Sequence, residues 1–167
     1  NTTAGQKVVQ DIQAAGGTAA FFAADVTRSD DVKNMVQEAV KLWGRLDVMI
    51  NNAGIIGDIA HLGKLGSQSI RQIFEINTIA PAILMNAFVK KYARLEEVKK
   101  IVVNISSGAA TKAIDGWAGY SASKAALNML TQTAQNETDL DRNGIRFFAV
   151  APGVVDTAMQ HQIRNSS

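Results

Sequence analysis

Tyr120 and Lys124 stand four residues apart in Gly119-Tyr120-Ser121-Ala122-Ser123-Lys124. On a helix such positions share a face, one turn apart. A cation that close favours the phenolate and is expected to pull the tyrosine below its ordinary pKa of about 10. A phenol tuned in this way is an acid and base usable near neutral pH. Ser107 lies upstream, just after the apolar run Ile101-Val102-Val103-Asn104-Ile105-Ser106. Its hydroxyl is placed to hold an oxygen that Tyr120 protonates. A lone Tyr-x-x-x-Lys is more often a surface pair than a reactive one, so the surrounding elements must decide.

Those elements alternate apolar runs with amphipathic helical patterns, the signature of an α/β parallel sheet. Ala4 to Ala15 has the period of a helix, stopped by Gly16-Gly17, and Thr18 to Ala24 follows as a strand ending at Asp25. Ser29-Asp30-Asp31 caps a helix running to Trp43. Leu46 to Ile50 is a short strand that feeds Asn51-Asn52-Ala53-Gly54, and Ile55 to Gly66 is a loop. A long helix runs from Ser67 to Ala93, with a break expected between Asn77 and Pro81. Ile101 to Ser106 is the next strand, followed by the helix carrying Tyr120. Asn143-Gly144 turns the chain into a last strand, Ile145 to Val150, which delivers Pro152-Gly153.

The strands lack polar alternation, so helices are expected on both faces, giving a three-layer, doubly wound sheet. In such sheets ligands bind beyond the carboxyl ends of the strands. Asp25, Asn51 to Gly54, Ser107 and Pro152-Gly153 all fall at such ends. That convergence outweighs any single motif.

The remaining numbers narrow the chemistry. The 167 residues are 47% hydrophobic and 19% charged, ordinary for one globular domain. A net charge of +2, with Lys90, Lys91, Arg94, Lys99 and Lys100 interrupted by Glu96 and Glu97, suits a solvated helix end and gives nucleic acid little to bind. No cysteine is present, and His61 and His161 lie far apart, so neither thiolate chemistry nor a metal site is supported. The apolar stretch Ile79 to Val89 contains Pro81 and Asn86 and is too short to span a bilayer, and no signal sequence opens the chain. A cytoplasmic protein is the expectation.

Asp25-Val26, Asn51-Asn52-Ala53-Gly54, Asn77, Ser107, Tyr120-x-x-x-Lys124 and Pro152-Gly153 with Thr157 together resemble the short-chain dehydrogenase/reductase family across the whole chain. Trp117 and Asp156-Thr157-Ala158-Met159-Gln160 are similar to its sepiapterin and benzil reductase members. The resemblance implies a Rossmann-like domain that moves hydride between NADP or NAD and a ketone or secondary alcohol. In that reading Tyr120 exchanges the proton, Ser107 holds the substrate oxygen, and Lys124 tunes Tyr120 and binds the nicotinamide ribose. Asn77 holds a water that links Lys124 to solvent. Asp25 and Val26 meet the adenine, Asn52, Ala53 and Gly54 the ribose, and Pro152, Gly153, Val155 and Thr157 the nicotinamide end. Resemblance to the reductases points to NADP ahead of NAD. Relatives pair through the helices around 79–89 and 120–137, which implies a homodimer or homotetramer.

Each role has a plainer rival. Asn77 fits a kinked helix, Asp25 a turn cap, and Asn51 to Gly54 a structural turn. Ser106 competes with Ser107, although strand alternation points the two in opposite directions. The pocket expected from Ile55, Ile56, Ile59, Trp117 and Met159 is apolar with an aromatic wall, suited to aryl ketones or diketones; about half of these residues fit a core equally well. None of the thirteen glycines forms the Gly-x-x-x-Gly-x-Gly turn with which the family begins. The sequence therefore resembles the middle of a longer domain, incomplete at both ends. A catalytically silent binding protein and a sugar-nucleotide epimerase are the rival functions.

Overall fold

Three apolar runs form the parallel strands β1 (Val48–Asn51), β2 (Lys100–Ile105) and β3 (Ile145–Val150), in the order β1-β2-β3. Val48 pairs with Ile101 and Ile101 with Arg146, so the three carboxyl ends lie side by side. The computed structural model describes residues 1–92, 99–140, 144–153 and 155–165. Arg94, Glu96, Glu97 and Asn143 lie outside the described residues.

Parallel neighbours require long crossovers, and helices supply them. Helix α1 (Thr2–Ala14) and α2 (Ser29–Trp43) precede β1. Between β1 and β2 run α3 (Ser67–Phe74), a π turn (Glu75–Ile79) and α4 (Ala80–Tyr92). Helix α5 (Ala118–Leu140) joins β2 to β3, and α6 (Ala158–Arg164) follows. The expected break in the long helix is the π turn, with Asn77 at its centre.

The core lies between one sheet face and α2, α4 and α5. Val32 and Val36 of α2 and Leu84, Met85, Phe88 and Tyr92 of α4 pack on Met49, Val102, Ile145 and Phe147 of the strands. Ala134 of α5 packs against the same cluster. Each crossover advances the sheet in the same direction, and right-handed crossovers then place their helices on one side. The opposite face carries exposed Val48, Ile50, Ile101, Phe148 and Val150. The described helices supply one of the two layers that flank the sheet in this doubly wound, three-layer α/β fold.

Three local expectations change. Thr18 to Ala24 is extended but pairs with no strand among the described residues, leaving Phe22 exposed. The Phe21 ring lies instead against Gly5 of α1, where any Cβ would collide with it. The N-cap of α2 is Arg28, without a side-chain cap bond because a guanidinium has no acceptor, and the Asp31 carboxylate accepts instead from the Asp25 N–H at 3.0 Å. Lys100 is no solvated helix end: it opens β2, is 3% exposed, and donates to Asp47 at 2.9 Å.

Residues 67–92 are helical throughout, long and apolar enough by length and composition to cross a membrane. The apolar stretch Ile79 to Val89, too short by itself to span a bilayer, is part of this longer helix. Ile73, Ala80, Leu84, Met85, Phe88 and Tyr92 are nevertheless buried against protein, as in a core helix.

Candidate active site

The three strand ends deliver Asn51 to Gly54, Ser106-Ser107 and Pro152-Gly153 to one edge, as the sequence predicts. Alternation separates the two serines. Ser106 points inward and donates to Asn128 Oδ1 at 2.6 Å, while Ser107 reaches Tyr120. Ser107 Oγ also accepts from the Ala109 N–H at 3.2 Å, capping a short 3-10 turn, Gly108–Ala110, that fixes its rotamer.

Tyr120 is 7% exposed at the start of α5. Burial raises its pKa, and the hydrogen bond to Ser107 opposes that rise. Lys124 does not act on the phenol as expected. Its ammonium lies 5.9 Å from the Tyr120 ring centroid and donates to the Ile105 carbonyl at 2.7 Å. Burial lowers the pKa of Lys124 itself to about 8. The desolvation that makes the pair reactive thus keeps the phenol protonated and loosens the proton on the lysine.

Asn77 is fully buried. Its Nδ2 donates to the Ile55 carbonyl at 2.8 Å and to Ser123 Oγ at 3.0 Å, and its Oδ1 accepts from the Ile55 N–H at 2.9 Å. Both amide protons are spent on protein groups. The water-holding role expected of Asn77 therefore does not fall to its side-chain donors; it clamps a loop. A Cβ at Gly54 would lie 3.4 Å from both Asn77 Oδ1 and Lys124 Nζ, so glycine leaves the ammonium reachable from the loop.

Substrate-side residues assemble as expected. Ile56, Ala109 and Tyr120 form a second buried cluster, with Ile59, Trp117, Met159 and Ile163 packed around it. The Trp117 ring stands edge-on to Tyr120, centroids 5.7 Å apart. Ile56, 2% exposed, is core and not wall. A groove of about 460 Å³ runs beside Trp117, between Ile59 and Ile163, with His61, Lys64 and Asp115 among its lining residues.

The other sequence-picked residues hold local bonds. Asp25 Oδ1 accepts from the Thr27 N–H and hydroxyl at 2.9 and 2.8 Å, the turn-cap alternative, and lies on no strand end. Val26 packs against the main core. Thr157 caps α6 by accepting from the Gln160 N–H at 3.4 Å. Asn52, Ala53, Pro152, Gly153 and Val155 are exposed. Sequence reasoning missed Ser123, fully buried between the two reactive side chains, and Thr78 beside Asn77. A hydroxyl inside a helix carries no periodic signal; the one clue was its place inside the Tyr-x-x-x-Lys motif.

A family model described as short chain dehydrogenase matches residues 1–167. A benzil reductase ((S)-benzoin forming) of Bacillus subtilis is 39% identical over 119 residues, 71% of this chain and 49% of that protein. A benzil reductase ((S)-benzoin forming) of Saccharomyces cerevisiae is 32% identical over 146 residues, 85% of this chain and 54% of that protein. Among solved structures, NAD+-bound xylitol dehydrogenase superposes with a TM-score of 0.88 at 26% identity, covering 98% of this chain and 62% of that one. A metagenomic short-chain oxidoreductase in complex with NADP gives 0.79 at 32% identity, covering 90% and 66%. The chain spans about half the length of the curated relatives it matches.

Proposed function

Because the chain belongs to the short-chain dehydrogenase family, we propose that it serves an NAD(P)-dependent oxidoreductase acting between a ketone and a secondary alcohol. The observation that carries this reading is the buried Tyr120 at the start of α5, with Ser107 acting on its phenol and Lys124 one turn away, at the carboxyl edge of a parallel sheet. Tyr120, protonated at neutral pH, donates its proton to the substrate oxygen as the O–H bond breaks. Ser107 holds the same oxygen and stabilises charge that develops on it. The ammonium of Lys124, held by the Ile105 carbonyl, is left to bind the nicotinamide ribose.

The residues present fit a nicotinamide ribose, since the missing side chain at Gly54 leaves room above Lys124. When bound, the nicotinamide supplies or accepts the hydride. Asn52, Ala53, Gly54 and Lys124 would hold its ribose, Asp25 and Val26 the adenine, and Pro152, Gly153, Val155 and Thr157 the carboxamide end. The reductase relatives support NADP ahead of NAD. The Trp117 wall, the apolar cluster with Met159 and the benzil reductases among the relatives support an apolar aryl ketone or diketone as substrate. Exposed Ile79, Met129 and Leu130 on the π turn and α5 support a homodimer or homotetramer formed through these helices.

The test is benzil reduction followed by nicotinamide absorbance with NADPH and with NADH. Turnover is expected with at least one cofactor, and Tyr120→Phe is expected to lower it about 10²- to 10⁴-fold while cofactor binding persists. Equal rates for the Phe variant would remove the acid role from Tyr120. Cofactor binding without turnover on any ketone would favour the silent binding protein.

A further inference from the structure

We propose that Ser123 is a positioning residue, the joint that sets Tyr120 and Lys124 against the loop following β1; this rests on the oxidoreductase reading above. Its hydroxyl donates to the Tyr120 carbonyl at 2.7 Å and accepts from Asn77 Nδ2 at 3.0 Å. Its own carbonyl accepts from Thr78 Oγ1 at 3.0 Å. Asn77 then grips both the N–H and the C=O of Ile55. One continuous path therefore runs from Ile55 through Asn77 and Ser123 to Tyr120. Ser123 and Asn77 are 0% exposed and Thr78 is 7% exposed.

Apolar packing alone lets a helix slide or rotate at small cost, whereas a buried polar path is satisfied in one register only. A single turn of π helix brings two consecutive residues, Asn77 and Thr78, onto the same serine. Such wide turns recur at functional sites. The loop residue next to Ile55 is Gly54, which faces Lys124 Nζ. Ser123 thereby fixes the gap between Lys124 and that loop, and also the reach of Tyr120 to Ser107. The bond to the Tyr120 carbonyl is one that any helical serine can make; the bond from Asn77, on another element, is what ties Ser123 to the loop.

The chain has two tyrosines, so Tyr92→Phe leaves Tyr120 as the one phenol to titrate by ultraviolet absorbance. Among the described residues the buried Tyr92 hydroxyl has no hydrogen-bond partner, so its removal strands none of them. In this background Ser123→Ala is expected to shift the Tyr120 midpoint by about 0.5 pH, because the position of the phenol relative to Ser107 and Lys124 is no longer held. Turnover is expected to fall about 10- to 100-fold, the cost of misplacing a reacting group. Thr78→Val, which removes one bond and keeps the shape, is expected to move both in the same direction by less. An unmoved Tyr120 midpoint in both variants, whatever their melting temperatures, overturns the proposal. If Ser123→Ala does not fold, Thr78→Val decides by the same criterion. A midpoint that moves in a protein with no nicotinamide-dependent turnover would keep the joint and sink the oxidoreductase reading.

Discussion

Lys124 is the residue whose environment contradicts its charge. It is 3% exposed, its pKa falls to about 8 through burial, and one carbonyl is its polar partner among the described residues. Between pH 8 and its ordinary value near 10.5 the unfolded chain still holds the proton that the folded chain has released. Stability therefore rises with pH across that window. The rise to pH 10 is expected to be on the order of 2–3 kcal/mol in chemical denaturation. Lys124→Met should flatten it; an equally steep rise in the Met variant would assign the slope to another group. Turnover in the reducing direction should fall as pH rises through 8, while the phenol stays protonated. The spacing of Ser107, Tyr120 and Lys124 was legible in the sequence because i, i+4 geometry and strand alternation are local. The sign of the Tyr120 shift was not, because desolvation depends on Ile56, Ala109 and Trp117, which arrive from other elements.

At the scale of elements, the join between β1 and β2 depends on Asp47 and Lys100. Arg45, and then Lys100, hold the Asp47 carboxyl at about 2, well below the usual carboxylate range. A lowered folded-state pKa contributes stability above the unfolded value, lost as pH falls from about 4 towards 2. Asp47→Asn should weaken that acid dependence and leave the buried Lys100 charge, among the described residues, facing the Tyr92 ring, 4.5 Å from its centroid. Its melting temperature is expected to fall at neutral pH, and the double variant Asp47→Asn, Lys100→Met to recover most of the loss, since an unpaired buried charge costs more than none. A double variant no more stable than Asp47→Asn would show that the pair, and not the stranded charge, matters. Sequence periodicity placed β3 as observed and β2 within a residue, and foresaw the break near Asn77, because each is written in contiguous residues. It failed for Thr18 to Ala24, because a strand exists only when a partner lies beside it.

The whole molecule is two-sided. Val102 and Phe88 are 0% exposed on the helix-covered face, while Ile50 is 60% and Phe148 49% exposed on the other. Strand alternation makes these faces independent, so substitutions on them should act on different properties. Phe88→Ala removes a packed ring and is expected to cost about 3–5 kcal/mol of stability. Ile50→Thr with Phe148→Thr removes side chains that are already half-exposed, and β-branched threonine suits a strand, so stability should fall far less than in Phe88→Ala. What should change is dye binding: a contiguous exposed apolar face recruits hydrophobic dyes. The double variant of this 167-residue chain is expected to bind less of a fluorescent hydrophobic dye. Unchanged dye binding would mean that the dye reads another surface, with the exposed Ile79, Met129 and Leu130 patch the next to test. Apolar composition showed that both faces were built for burial. Which of them the described helices cover follows from the handedness and direction of the crossovers, a property of the path and not of any segment.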